Sequence, residues 1–253
     1  MLILQQKSPN KWIPIMNKKQ IKRILIKISG ASIKSKDNNI FNLNYIKNLA
    51  KQIAILAKKY QIGIVIGGGN IWRGNMTVGN VFKKANADYM GMLSTIINAL
   101  AFKDILVSHG CQVNLYSALT ISNVTKPIII EQINNDLNKK IITIFAAGTG
   151  HPYFTTDTGC VIRAIDMNAD VILMGKDSVD GVFSDDPQIN KKAKFYPNLR
   201  FIDVLKMKLK VMDLSALTLC EQHDIDIYVF NILQNNSLLK IVNKKCKFTH
   251  IHK

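Results

Sequence analysis

Residues 141–157 read IITIFAAGTGHPYFTTD, and the fold turns on how this stretch is read. An apolar, β-branched run (Ile141, Ile142, Thr143, Ile144, Phe145) gives way to Ala146, Ala147, Gly148, Thr149 and Gly150. His151, Pro152, two aromatics and then Thr155, Thr156 and Asp157 follow. That order predicts a buried strand, a loop whose backbone approaches a ligand closely, and a polar start to a helix. Small residues and free N–H groups suit an anion, while Tyr153 and Phe154 are placed to cover a flat group. Taken alone, the stretch fits an ordinary strand-to-helix turn equally well. Two more glycine-bearing strand ends shift the balance.

The first is ILIKISG at residues 24–30, an apolar strand pattern carrying one lysine. Burying a lysine is costly unless it is paired, so Lys27 either lies in solvent at a sheet edge or meets an anion beside Ser29 and Gly30. The second is IGIVIGGGNIWRG at residues 62–74, where Gly67, Gly68 and Gly69 end a Val/Ile-rich strand and Arg73 follows. Glycine loses the most chain entropy on folding, so three in a row are hard to justify by packing and point to a ligand. Arg73 supplies a bidentate charge for a phosphate there. Neither cluster matches GxxxxGK[ST] or GxGxxG, which argues against a P-loop or dinucleotide fold. Several strand ends converging on an anion is the arrangement expected at the carboxyl edge of a parallel sheet.

At 253 residues with 47% apolar content, the chain has enough hydrophobic residues for an ample core and is not disordered. No uninterrupted apolar run reaches the roughly 20 residues of a membrane span, and the apolar start at Met1 is too short for a signal-peptide core. A cytoplasmic location is expected. Cysteines 111, 160, 220 and 246 lack metal-like spacing and read as buried free thiols. His250 and His252, near the end of the chain, read as a frayed polar tail rather than a metal site. The formal net charge of +17 raises nucleic-acid binding. Lysine is nevertheless spread along the chain without an aromatic-interleaved stripe, so a lysine-rich solvated surface is favoured and nucleic acid is not an expected partner.

Residues 1–20 lack periodicity and read as a disordered leader, leaving residues 21–253 as one domain. Met16 precedes NKKQIKRILIKISG and is a candidate translation start. Helical spacing of Ile46, Leu49, Ile53 and Leu56 predicts a helix over 43–60, and Met90, Leu93, Ile97 and Leu100 mark a second over 85–106, its methionines core filler. Further strands are expected at 112–117, 169–174 and, as the last, 225–231, with helices at 131–137, 158–167, 199–207 and 213–223. Alternating strands and helices argue an α/β three-layer sandwich around a mostly parallel central sheet.

KISG at 27–30, VIGGGNIWRG at 65–74, ADYMGM at 87–92, FAAGTGHPYFTTDT at 145–158, VDGVFSDDP at 179–187 and KVMD at 210–213 together resemble the uridylate (UMP) kinase branch of the amino acid kinase family. The resemblance implies an amino acid kinase-like fold and transfer of a phosphoryl group from ATP, with Mg2+, to UMP. It places Lys27, Ile28, Ser29, Gly30, Gly69, Arg73, Asp177, Phe183 and Asp186 at ATP. Gly68, Asp88 and the loop Thr149, Gly150, His151, Pro152, Tyr153, Phe154, Thr155, Thr156 fall at UMP. Lys27, Arg73, Asp157 and Asp213 are the catalytic set, Lys27 on the transferring group and Asp213 orienting it. No protein ligand for the metal is assigned. A homohexamer responsive to UTP and GTP is the family expectation.

Several of these residues have plainer roles available. Asp213 and Asp157 are good helix N-caps, Asp88 favours a helix N-terminus, and Phe183 after a turn suits a core. Two departures stand out: Ala31-Ser32 replace the family's usual Glu-Ala, and the segment from Met174 to Ser178 is one residue longer than the commonest form. The competing readings are a family member acting on a carboxylate or carbamate, and a nucleic-acid-binding regulator with a kinase fold. For the translation start, the intact mass of protein from its native cell is expected to begin at Met16; a mass that includes the first 15 residues overturns it.

Overall fold

The computed structural model describes residues 21–35, 37, 39–73 and 81–253. The expected leader at 1–20, the Met16 start and Gly74 lie outside the described residues. Along the chain run β1 (Arg23–Ile28), α1 (Leu43–Ala57), β2 (Gln61–Ile66), α2 (Lys84–Ser108), β3 (Val113–Ser117), β4 (Lys126–Pro127), α3 (Ile130–Asn138) and β5 (Ile142–Ala146). The second half holds α4 (Thr156–Asp166), β6 (Val171–Lys176), β7 (Val182–Phe183), β8 (Phe195–Tyr196), β9 (Asn198–Arg200), α5 (Phe201–Lys206), α6 (Leu214–Gln222), β10 (Asp226–Asn231), α7 (Ser237–Val242) and β11 (Phe248–His252).

Nine strands form one sheet in the order β4-β3-β5-β2-β1-β6-β10-β11-β9, and β7 and β8 make a separate hairpin. Among the described residues of the large sheet only β10 and β11 pair antiparallel; the other pairings are parallel. Parallel strands covered on both faces should be apolar throughout, and β2 is buried at all six positions. One face packs Ile24, Ile26 and Ile28 against α1, α2 and α7; the other packs Leu25, Val65 and Ile172 against α3, α4, α5 and α6. The expected three-layer α/β sandwich is the fold.

Helix α1 buries Ile46, Leu49, Ile53 and Leu56, as its spacing predicts. Helix α2 differs. Its buried stripe runs through Met92, Ile96, Ala99, Phe102 and Leu106, whereas Leu93 and Ile97 are about half exposed. Two apolar stripes share this helix, and periodicity alone does not say which one the sheet takes. Its 25 residues are long and apolar enough to cross a membrane, yet its buried stripe belongs to the core around β2, β3 and β5.

Three expectations near the C-terminus are corrected. The helix expected over 199–207 is confined to α5, because Leu199 belongs to β9 beside β11. The strand at 225–231 is not the last. His250 and His252 lie in β11 rather than in a frayed tail, and His250 Nε2 sits 2.9 Å from Asp226 Oδ2. The alternation Phe248, His250, His252 against buried Thr249 and Ile251 is a half-buried strand pattern. All four cysteines are free; Cys160 and Cys220 are buried, while Cys111 and Cys246 are only partly so.

Strand β11 also fastens the β7–β8 hairpin. Buried Thr249 accepts from Val182 N at 2.8 Å and donates to Tyr196 O at 2.6 Å. Thr249→Val keeps the shape and leaves both backbone groups unpaired, so denaturant unfolding is expected to show a loss of about 1–3 kcal/mol. An unchanged midpoint would mean that the hairpin is held by other contacts.

Candidate active site

The carboxyl ends of β1, β2, β5 and β6 meet at the middle of one sheet edge, where parallel α/β sheets bind ligands. Lys27 is not on an edge strand: β1 is flanked by β2 and β6. Its Nζ lies 2.7 Å from Asp157 Oδ1, with the two side chains 11% and 19% exposed. Asp157 is therefore an ion-pair partner. The N-cap expected of it belongs to Thr155, whose Oγ1 accepts from Asp157 N at 3.1 Å and Thr158 N at 3.4 Å. Asp157 falls in the first turn of α4, where the helix dipole favours a carboxylate.

Asp213 does not reach Lys27 in this arrangement. It caps α6 by accepting from Ala216 N at 2.9 Å. It also accepts from Thr155 Oγ1, from Thr158 Oγ1 at 2.9 Å and from Ser215 Oγ at 3.2 Å. This clasp ties the start of α4 to the start of α6. Burial alone would raise the Asp213 carboxyl, but the hydrogen bonds led by Thr155 outweigh it and hold it below the usual carboxylate range.

The glycines separate into two kinds. A Cβ on Gly30 would stand 2.4 Å from Gly67 O, and one on Gly68 would stand 2.8 Å from Gly91 O, so close packing requires both. The expectation that packing leaves the triple glycine unexplained is thus wrong for Gly68. At Gly69 the nearest atoms are 3.9 Å away, which leaves its backbone open toward the cleft. Gly150, with φ +80°, packs against Ala118.

A cleft of about 400 Å³ is lined by Gly68, Gly69, Arg73, Asp88, Thr149, His151, Tyr153, Phe154, Thr155 and Thr156, ten of the expected residues. Trp72 and Gly91, which lie inside two of the motifs but were given no role, line it as well, as do Lys84 and Thr95, which no motif contains. Pro152 is half-buried within the same loop. Ala147 and Tyr153 both hold positive φ, which strains non-glycine residues and is a mark of functional loops.

Helix α2 holds the cleft together. Asn98, 1% exposed, donates to Gly67 O and Asn70 Oδ1, both at 2.7 Å. Thr95 Oγ1 accepts from Ala147 N at 2.8 Å. Asp88 Oδ2 accepts from Tyr153 N at 2.9 Å, and its other oxygen pairs with Lys84. Trp72 Nε1 donates to Ala87 O at 2.9 Å. One rigid element thereby positions the loops after both β2 and β5.

The remaining expected residues lie toward β6 and the hairpin. Ile28 is buried in the core and offers only its backbone; Ser29 O accepts from Ser32 N and Oγ. Arg73 Nε donates to Gly69 O at 3.1 Å. Phe183 stacks near Phe195 with centroids 5.3 Å apart, and Lys247 Nζ stands 5.2 Å from its ring. Asp177 is exposed and accepts from Ser178 Oγ, while Asp186 Oδ1 accepts from Gln188 N within the hairpin loop. Lys176, in the lengthened segment from Met174 to Ser178, donates to Val211 O at 2.6 Å. Burial first, and then Lys27, push its pKa below the usual lysine value, with Asp157 opposing.

The clasp has a pH signature. The folded pKa of Asp213 lies below the unfolded 3.8, so its stabilisation is complete above that value and fades as pH falls through the folded one. Asp213→Asn keeps a cap but cannot titrate, and its melting temperature is expected to fall less steeply below about pH 4 than that of the unaltered chain. Parallel acid profiles would remove Asp213 as a source of acid sensitivity.

Comparison with known proteins bears on the family and the fold. A family model described as the amino acid kinase family matches residues 22–231. The uridylate kinase of Ureaplasma parvum is 42% identical over 231 residues, which span 91% of this chain and 98% of the relative. Among solved structures, UMP kinase from Ureaplasma parvum superposes with TM-score 0.89 at 42% identity, covering 92% of this chain and all of that one. UMP kinase from Bacillus anthracis gives 0.86 at 36% identity, covering 92% and 96%. On sequence and on fold, the chain belongs to the amino acid kinase family.

Proposed function

We propose that the chain is a nucleoside monophosphate kinase that phosphorylates UMP to UDP at the expense of MgATP, a step of pyrimidine nucleotide biosynthesis. The observation that carries this reading is the Lys27–Asp157 pair at the sheet's carboxyl edge, beside a cleft lined by the resemblance-derived UMP residues. An oxygen of the UMP phosphate bonds to the γ-phosphorus of ATP. The bond from that phosphorus to the β–γ bridging oxygen breaks, and its electron pair leaves with ADP. The attacking oxygen is already anionic, so no general base is needed, and the work lies in aligning two mutually repelling phosphates and offsetting their charge.

Lys27 is the group for the transferring phosphoryl, and Asp157 holds its amine in place. Asp213 acts one step removed, by fixing the start of α4 on which Asp157 sits. Gly69 and Arg73 take donor phosphates; Gly68 and the 149–156 loop surround UMP, with Tyr153 and Phe154 beside the base. Asp88 takes the ribose as well as holding Tyr153 N. Phe183, Asp177 and Asp186 belong to the adenosine side. With Asp157 committed to Lys27, the edge suits phosphate better than a bare cation, and magnesium would be held mainly by ATP and water, where it would offset phosphate charge. A homohexamer in the cytoplasm, with UTP and GTP as effectors, extends the reading. The exposed Tyr89, Leu93 and Ile97 on α2 favour self-association. The relatives give no support to a carboxylate-directed or nucleic-acid-binding role.

A coupled assay of ADP release with MgATP and UMP, CMP, dUMP, aspartate or N-acetylglutamate is expected to give turnover with UMP alone. Activity only with a carboxylate overturns the acceptor assignment. Lys27→Met is expected to lower turnover by about a hundredfold or more while UMP binding, read by calorimetry, is retained. Near-normal turnover in that variant removes Lys27 from the chemistry.

A further inference from the structure

Helix α2 begins in a way that its own stability does not explain. Lys83 is the N-cap and makes no side-chain cap bond, Lys84 is the first helical residue, and the first turn holds no acid. Cations are disfavoured there, because the helix dipole is positive at that end. Lys84 nevertheless pairs with Asp88 Oδ1 four residues on. An ion pair at this spacing is weaker when the cation comes first in the chain. Asp88, the fifth helical residue, also lies beyond the turn in which the dipole would favour a carboxylate. An arrangement that goes against helix preferences at two positions is expected at a functional site.

The surroundings show what the pair serves. Among the described residues that line the cleft, Asp88 is the only carboxylate, and Arg73 and Lys84 supply the opposite charge. The Asp88 side chain is 14% exposed and that of Lys84 58%, so the carboxylate is set in the wall and the amine reaches it from solvent. Asp88 Oδ2 accepts from Tyr153 N at 2.9 Å, across 65 residues of chain. Held by that one donor, a carboxylate swings about the bond; held through both oxygens, it has one orientation. A carboxylate offers about four acceptor positions, so each oxygen keeps one for a ligand. Two such positions side by side match two vicinal hydroxyls, the pattern of a ribose 2′,3′-diol. Lys84 also offsets a negative charge that would otherwise repel a phosphate-bearing acceptor.

We propose that Lys84 makes the acceptor site selective for ribonucleotides over 2′-deoxyribonucleotides. It is a positioning residue, acting through Asp88. With Lys84 in place both Asp88 oxygens face the diol, and a 2′-deoxy acceptor leaves one of them unpaired in a partly buried wall, which rejects it. The substrate class is thus a nucleoside monophosphate with an intact 2′,3′-diol. This rests on the UMP kinase reading and on the place of Asp88 at the ribose, and adds to them the group that aims the carboxylate. Lys27 and Asp157 form a separate pair, so the effect belongs to acceptor binding rather than to the transfer step.

Lys84→Met tests the proposal, since Met keeps the length and loses both the donor and the charge; Lys84→Arg keeps both. The side chain is exposed and the helix start gains nothing from a cation, so the Met variant is expected to fold. Calorimetry is expected to show the unaltered chain binding UMP at least about tenfold more tightly than dUMP. The Met variant is expected to bind the two within about twofold of each other, the loss falling on UMP. KM for UMP should rise about tenfold with kcat changed by no more than about twofold, the pattern of lost uniform binding. The Arg variant should recover the preference for UMP. An unaltered chain without that preference, or a Met variant that keeps it, overturns the proposal. Equal weakening of UMP and dUMP overturns it too, because that marks only a general attraction for phosphate. So does a fall in kcat at unchanged KM, or a Met variant that fails to fold. An unaltered chain that neither binds nor phosphorylates UMP fails the functional reading itself; one that phosphorylates UMP while the Met variant keeps its preference fails this proposal alone.

Discussion

Withdrawing the Lys27–Asp157 pair from water costs several kcal/mol per ion, and the architecture around it is arranged so that neither charge is buried alone. β1 presents the lysine from the centre of the sheet, and the first turn of α4 presents the carboxylate with helix-dipole support. The loop between β5 and α4 must then take a tight course, which it achieves with positive φ at Ala147, Gly148, Gly150 and Tyr153. The Asp213 clasp holds α4 against α6 so that the carboxylate cannot drift away. Position of charge, loop strain and helix capping are parts of one arrangement.

A second constraint comes from α2. Ser94 bonds back to Met90 O within the helix, and three other polar residues are spent on loop backbone. Asn98 takes Gly67 O, Thr95 takes Ala147 N and Asp88 takes Tyr153 N. Buried amides and hydroxyls are costly when unpaired, so these pairings define the loop positions sharply. The same helix turns Tyr89, Leu93 and Ile97 outward. One element thus shapes the cleft on one side and offers an apolar surface on the other.

The legible parts of the sequence were those in which one short segment contains its own reason. IGIVI and IITIF are buried strands because nearly every residue is apolar, and Ile46, Leu49, Ile53 and Leu56 mark the inward face of α1 because no second stripe competes. The resemblance located ten lining residues of the cleft. Where two local readings were equally good, the sequence misled. Asp157 and Thr155 both resemble an N-cap, and the hydroxyl has the role. Leu93 and Met92 both belong to apolar stripes, and the sheet took the second. FTHIH looks like a tail until β10 provides its partner.

By itself the sequence determined the alternation of strand and helix, the apolar sheet and the chemical character of an anion-handling edge. These follow from local periodicity, from glycine at strand ends and from lysine, arginine and aspartate set among apolar runs. Tertiary structure alone decided which carboxylate meets Lys27, why Gly68 has to be glycine, and that Asp88 holds Tyr153 N. Each depends on atoms far apart in the chain being brought to within a few ångströms. Sheet order and strand register govern such meetings, and no short stretch of residues specifies them.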